Sequence, residues 1–115
     1  MRKINILPIY EENIIGFVYD GVNAQFKYRS ERKTINLNFS FVLFFDFCDF
    51  EYQSDVEWEF GLVEYEHSPR LNEIFSRINN PIFNKGLENL YHYKLVIDDV
   101  GIYNIICKAF FEQQE

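Results

Sequence analysis

Glycine and proline are scarce in this chain, five and three residues in 115. That scarcity excludes collagen-like, linker-like and low-complexity readings and leaves a globular composition, read as a single domain over residues 1–115. The five glycines are scattered, so no glycine-rich phosphate loop exists. Cysteine is scarcer still. Cys48 and Cys107 are too few for a disulfide scaffold and suit a compartment that keeps thiols reduced. Long apolar runs are missing as well: the most hydrophobic stretch, Leu37 to Phe50, is too short for a membrane helix and contains Asp46 and Asp49. Arg2 and Lys3 imitate the start of a signal peptide. The apolar stretch behind them, Ile4 to Ile9, is broken by Asn5 and Pro8 and closed by Glu11 and Glu12, with no cleavage site. The expectation is a soluble cytoplasmic protein that does not engage a membrane.

One further absence is local. Residues 37–68 hold no Lys or Arg but eight acids, Asp46, Asp49, Glu51, Asp55, Glu57, Glu59, Glu64 and Glu66. Residues 1–36 carry six bases and four acids, and residues 69–115 five and six, so the net charge of −7 originates in the middle third. A field of that sign repels phosphates and attracts basic surfaces, which disfavours nucleic acid as a partner.

Aromatic residues, by contrast, are abundant: thirteen Phe, eight Tyr and one Trp make 19% of the chain. A domain of this size buries roughly two-thirds of the surface its unfolded chain exposes. Some of these rings are therefore expected to line a groove or an interface.

The apolar positions recur mostly with period two, which specifies strands. Ile14 to Tyr19 and the alternating Val22, Ala24, Phe26 and Tyr28 flank Asp20-Gly21, a hairpin signal of the I′ type. Ile35, Leu37, Phe39, Phe41, Leu43, Phe45 and Phe47 share one parity of a long strand. Val42 and Phe44 on the other parity predict a central strand with its middle buried on both faces. A fourth strand runs through Val56, Trp58, Phe60 and Leu62, with a bulge or bend at Gly61, where the parity fails. Ser68 as N-cap, Pro69 at the first helical position, and Leu71, Ile74, Phe75 and Ile78 predict one amphipathic helix, stopped at Asn79-Asn80-Pro81. Residues 82–90 fit either loop or helix. Tyr93, Leu95 and Ile97, then Tyr103, Ile105, Cys107, Ala109 and Phe111, form a closing hairpin around Asp98 to Gly101. The expected fold is α+β: a mostly antiparallel sheet of about six strands, in the order ββββαββ, with the helix packed on it.

No catalytic or metal site and no cofactor follows from these residues. The acids Asp46, Asp49, Glu51 and Asp55 lack the central glycine of a calcium loop and are separated by aromatics. His67 and His92 have no partner at ligand spacing, and a Cys48–His92 or Cys107–His67 pair would rest on chance proximity. Cys107 sits within an apolar parity set and reads as core. Lys27, Arg29, Arg32 and Lys33 form a small basic patch, best read as internal partners for the acidic stretch.

His92-Tyr93, followed by Asp98-Asp99-Val100-Gly101-Ile102-Tyr103-Asn104-Ile105-Ile106, resembles the ending of a group of small uncharacterised bacterial proteins. Asp49-Phe50 and the segment from Trp58 to Ser68 are similar to the middle of the same group. The resemblance spans about half the chain, and it departs at Ser68, which is followed by Pro69 and Arg70 where the group has an aromatic. Small acidic proteins of this kind look like immunity proteins, which neutralise a partner toxin. No functional residue is carried across, because Gly101 has a turn reading and Tyr103 and Ile105 a core reading.

The expected function is that of a non-enzymatic binding module of the immunity or inhibitory type. Its partner-binding surface would comprise Asp46, Asp49, Glu51, Asp55, Glu57, Glu59, Glu64 and Glu66, set against a basic protein such as a toxin. The alternative is a structural protein that assembles with itself, as a homodimer for instance. A small enzyme using Asp46, Asp49, Glu57 and His67 ranks third.

Overall fold

Period-two patterning and β-branched or aromatic side chains make strands, and strands dominate the result. The computed structural model describes residues 2–48, 61–65, 69, 71–73, 90–97 and 100–115. Seven strands form one sheet: β1 Arg2–Ile4, β2 Ile14–Tyr19, β3 Ala24–Ser30, β4 Lys33–Cys48, β5 Gly61–Glu64, β6 Tyr91–Ile97 and β7 Gly101–Gln114. Their spatial order is β1-β5-β6-β7-β4-β3-β2, and every pairing is antiparallel. The sheet thus has seven strands rather than the expected six. The added one is β1, whose three residues are too few to show alternation. Residues 69 and 71–73 are helical, and Leu71, like Phe44, packs against the pair Leu90 and Ile106. The expected strand start at Val56, Trp58 and Phe60 and the rest of the expected helix lie outside the described residues.

The two long strands divide the sheet into halves. Lys33–Ser40 of β4 lies between β3 and the end of β7, whereas Val42–Cys48 pairs with the beginning of β7, which in turn pairs with β6. On the inner face, one core joins Phe26, Tyr28, Ile35, Leu37 and Phe39 of the first half to Leu62, Tyr93, Leu95, Ile105 and Cys107 of the second. Phe17 and Tyr103 show how. In a flat sheet they would be three strand spacings and nine residues apart, about 30 Å, yet their rings stack at 5.2 Å between centroids. The sheet is therefore folded over its own inner face. The segment after β1 runs along the mouth of that fold, where Ile6, Leu7 and Ile9 pack on the core and the Leu7 carbonyl accepts the Tyr28 hydroxyl at 2.8 Å.

The bend is made inside β4. Phe41 takes φ 53°, a left-handed conformation that is rare for a bulky residue, and the ladder with β7 shifts register between Val42 and Phe44. Val42, not Phe41, therefore joins the core, and Phe41 and Leu43 point outward at 58% and 52% exposure. This corrects the expected single parity and the doubly buried middle of that strand. On β7 the inner set likewise passes from Cys107 to Phe110, so Ala109 and Phe111 are not in the core.

The turns differ from expectation in one detail. The first hairpin closes around Gly21 and Val22, with the Asp20 N–H donating to the Asn23 carbonyl at 3.1 Å. Of the turn residues only Gly21 has positive φ, 97°, as in a II′-type turn, whereas an I′ turn needs positive φ at both central residues. The I′ pattern instead falls on Glu31 and Arg32, at φ 52° and 66°. Gly61 has φ 111°, a conformation that L side chains rarely adopt, and Val56 to Phe60, on which the expected parity switch depends, lie outside the described residues. Cys107 is fully buried, as its parity implies, and both cysteines are free.

Candidate functional site: an exposed aromatic edge beside a buried polar row

Among the described residues the second half of β4 has a neighbouring strand, β7, on one side only. On its other side, β3 pairs only as far as Phe39, and the turn before β3 holds the start of the bend. Asn23 Oδ1 accepts the Phe41 N–H at 3.1 Å, and the Val22 carbonyl accepts the Val42 N–H at 2.7 Å. These two bonds fix Phe41 in its unusual backbone conformation and set Val22 beside it. From there an apolar edge continues along the strand. Leu43 stands free, Phe45 packs edge-on against Tyr19 at 4.9 Å, and Phe47 lies on Tyr103 at 4.9 Å. Tyr19, Val22, Phe41, Leu43, Phe45 and Phe47 are all at least 36% exposed. Lys108 reaches over the Phe41 ring at 5.3 Å and is the cation on this edge.

Of the eight acids expected to form the binding surface, Asp49, Glu51, Asp55, Glu57, Glu59 and Glu66 lie outside the described residues. The two that are described do not share a face. Glu64 is 8% exposed and forms an ion pair with Arg2, on the inner side where β5 meets β1. It is therefore not part of an open acidic surface, contrary to expectation: alternation in so short a strand does not reveal that β1 will cover it. Asp46 is half-buried on the outer face and accepts the Asn104 side-chain N–H at 2.9 Å.

Asp46 belongs to a row that crosses three strands. Asn104 on β7 presents its Nδ2 to Asp46 on β4 and its Oδ1 to His92 Nε2 on β6, at 2.9 Å in each case. A carboxylate only accepts, so it fixes which way the amide faces. The amide oxygen in turn requires a proton on His92 Nε2. His92 and Asn104 are each 4% exposed, and the Tyr65 ring stands edge-on to the imidazole at 5.6 Å. A neutral amide stands between His92 and Asp46, so within this row the imidazole is aligned through Asn104 and does not meet Asp46 directly. Its chemistry is that of a clamp across β4, β7 and β6.

His92 and Cys48 are not neighbours. Cys48 is opposite Ile102 and His92 opposite Ile106, so roughly 13 Å of strand and two strand spacings separate them. Among the described residues no group of His, Cys, Asp and Glu converges as a metal-ligand set. Nor does any described acid pair with Lys27, Arg29 or Arg32, and Lys33 donates to Gln114 at 3.3 Å. Six of the eight acids that the patch was expected to meet lie outside the described residues. No helix among the described residues is long and apolar enough to cross a membrane.

Sequence reasoning missed the aromatic edge and Asn104. The signal for the edge was an apolar parity set too long to be covered by one short neighbouring strand. For Asn104 it was an amide standing at an even position between isoleucines.

Comparison with family models, with curated proteins and with solved structures finds no significant match to this chain.

Proposed function

We infer that the chain is a non-enzymatic protein-binding module of the immunity or inhibitory kind, acting in the cytoplasm against a basic site on a partner protein. The observation that carries this reading is the contiguous edge of Tyr19, Val22, Phe41, Leu43 and Phe45, held outward by a strained backbone. Scattered exposed apolar residues are ordinary, but a contiguous aromatic edge marks an interaction surface. Strain at Phe41 supports the same reading, since unfavourable backbone is retained where it serves function. The charge of −8 across residues 37–68 gives the partner's sign and would speed encounter, while the rings supply the anchoring contacts. Leu71 and Phe44, packed on Leu90 and Ile106, already cover part of the outer face of the second half. The aromatic edge is then the flank left for a partner.

A photo-crosslinking amino acid placed at Leu43, with a control at the exposed Arg32, tests this in the source cell. The expected result is one basic protein joined from position 43 and not from position 32. Crosslinks only to a second copy of the chain would replace the reading with self-assembly, and no specific product from position 43 would overturn it.

A further inference from the structure

Among the described residues strand β2 is the last strand of the sheet, and it pairs there only with β3, so no described strand covers its outer edge. Natural edge strands are shielded by Lys, Pro or charge along their length. The sequence of β2, Ile14-Ile15-Gly16-Phe17-Val18-Tyr19, has none of these, and Ile15 and Val18 are 54% and 64% exposed. The shift in register between Ile14 and Gly16 bends only the start of the strand, so the stretch from Gly16 to Tyr19 remains straight.

The hairpin indicates which backbone groups are available. Asp20 bonds Asn23, so by alternation Val18 bonds Gln25, and the N–H and C=O groups of Phe17 and Tyr19 point away from β3. On the outer face Val18 borders a shallow groove of about 350 Å³ whose other walls include Asp20, Gln25, Asn38 and Phe111. The charges at the two ends of the strand agree in sign. Glu11 and Glu12 precede it and Asp20 follows it, all exposed. The Asp20 carboxylate accepts the N–H groups of Val22 and Asn23 at 2.9 and 2.7 Å, which hold it below the usual carboxylate range and keep it ionised.

We propose that the outer edge of β2 is a docking edge for a β-strand of a partner protein, an apolar segment carrying Lys or Arg at both ends. The incoming strand exchanges backbone hydrogen bonds with Phe17 and Tyr19. Its side chain opposite Val18 lies at the groove, where a long basic residue can rest its methylenes on Val18 and reach Asp20. A second copy of β2 fits poorly, because antiparallel self-pairing brings Glu11 and Glu12 of one chain beside Asp20 of the other. The edge is continuous with the aromatic surface through Tyr19, which packs on Phe45. The proposal rests on the protein-binding reading and specifies how the partner is held.

The test uses the full chain and two synthetic peptides that share a core of alternating Val and Thr, one flanked by paired Lys and the other by paired Glu. Backbone amide exchange should slow at Phe17 and Tyr19 with the Lys-flanked peptide. The Glu-flanked peptide should bind about tenfold more weakly at low salt. Asp20→Asn keeps the side-chain oxygen that closes the turn, so it should leave the melt unchanged yet weaken the Lys-flanked peptide severalfold. Val18→Lys, at an exposed site, should abolish its binding. Protection at neither residue, or equal affinity for the two peptides, would overturn the proposal. So would a concentration-dependent dimer that Val18→Lys dissolves. If crosslinking from position 43 still captures a basic partner in that case, the general reading stands and only the docking edge is lost.

Discussion

Leu37 and Leu43 are the same residue type on the same parity of the same strand, yet one is fully buried and the other 52% exposed. Leu37 lies between β3 and β7, with the folded-over half of the sheet above it. Leu43 lies beyond the end of β3, past two irregularities that turn its side chain outward. Hydrophobic alternation shows which residues share a face of a regular strand. Whether that face is covered depends on how far the neighbouring strand extends.

The sharpest way to break this comparison is to truncate both residues. Leu37→Ala should cost about 2–5 kcal/mol, the range for emptying a packed core site. Leu43→Ala should change stability by under about 0.5 kcal/mol, as at other exposed positions. Denaturant unfolding of the two variants measures both. Equal losses would mean that the second half of β4 is covered as fully as the first.

The inner side of that second half is tightly held even though no described strand flanks it beyond β3, and Gly101 tests this. It has φ 140°, and a Cβ there would come within 2.5 Å of the Cys48 carbonyl and 2.7 Å of the Phe47 ring. Gly101→Ala combines backbone strain with overpacking and should cost about 2–4 kcal/mol. A variant melting like the wild type would show that the start of β7 does not press on β4.

Alkaline titration probes the core under both halves at once. Burial pushes the Cys107 thiol up to about 12 from 9.0 and the Tyr93 phenol up to about 12 from 10.0, with Cys107 and Glu64 beside the phenol adding to its shift. Burial, then the charge of Glu112, raises Tyr28 as well. The native chain therefore retains protons that the unfolded chain releases. Stability from these groups is complete below about pH 9 and declines as pH rises toward 12. Melting temperatures across that window should fall steadily. For the same reason Cys107 should resist thiol reagents in the native state, whereas half-buried Cys48 reacts first.

The extent to which this was legible in the sequence follows from the same physics. The β3 alternation, the core role of Cys107 and the closing hairpin are local signals, and local signals were readable. The covering of Glu64 by Arg2, the join between Phe17 and Tyr103, and the row from Asp46 through Asn104 to His92 depend on strands distant in the chain. Phe41 is the instructive case: nothing about a phenylalanine within an alternating apolar run announces positive φ. Its conformation comes from Asn23 and Val22, eighteen and nineteen residues away along the chain.

That conformation yields the smallest expected effect and the most specific one. Within an ordinary strand, alanine is more stabilising than glycine, because glycine has more backbone entropy to lose. At φ 53° the order should reverse, since alanine keeps the left-handed penalty of about 1–2 kcal/mol that glycine escapes. Phe41→Gly should therefore melt above Phe41→Ala, by a free energy of about 1 kcal/mol. Both variants lose the ring and its contact with Lys108, so that contact cancels from the comparison. Both should also weaken crosslinking from position 43, although neither unfolds the chain. Together those outcomes would separate the stability of the bend from its use. If Phe41→Ala proves the more stable of the two, the residue lies in ordinary extended backbone, and the strain argument for the aromatic edge fails with it.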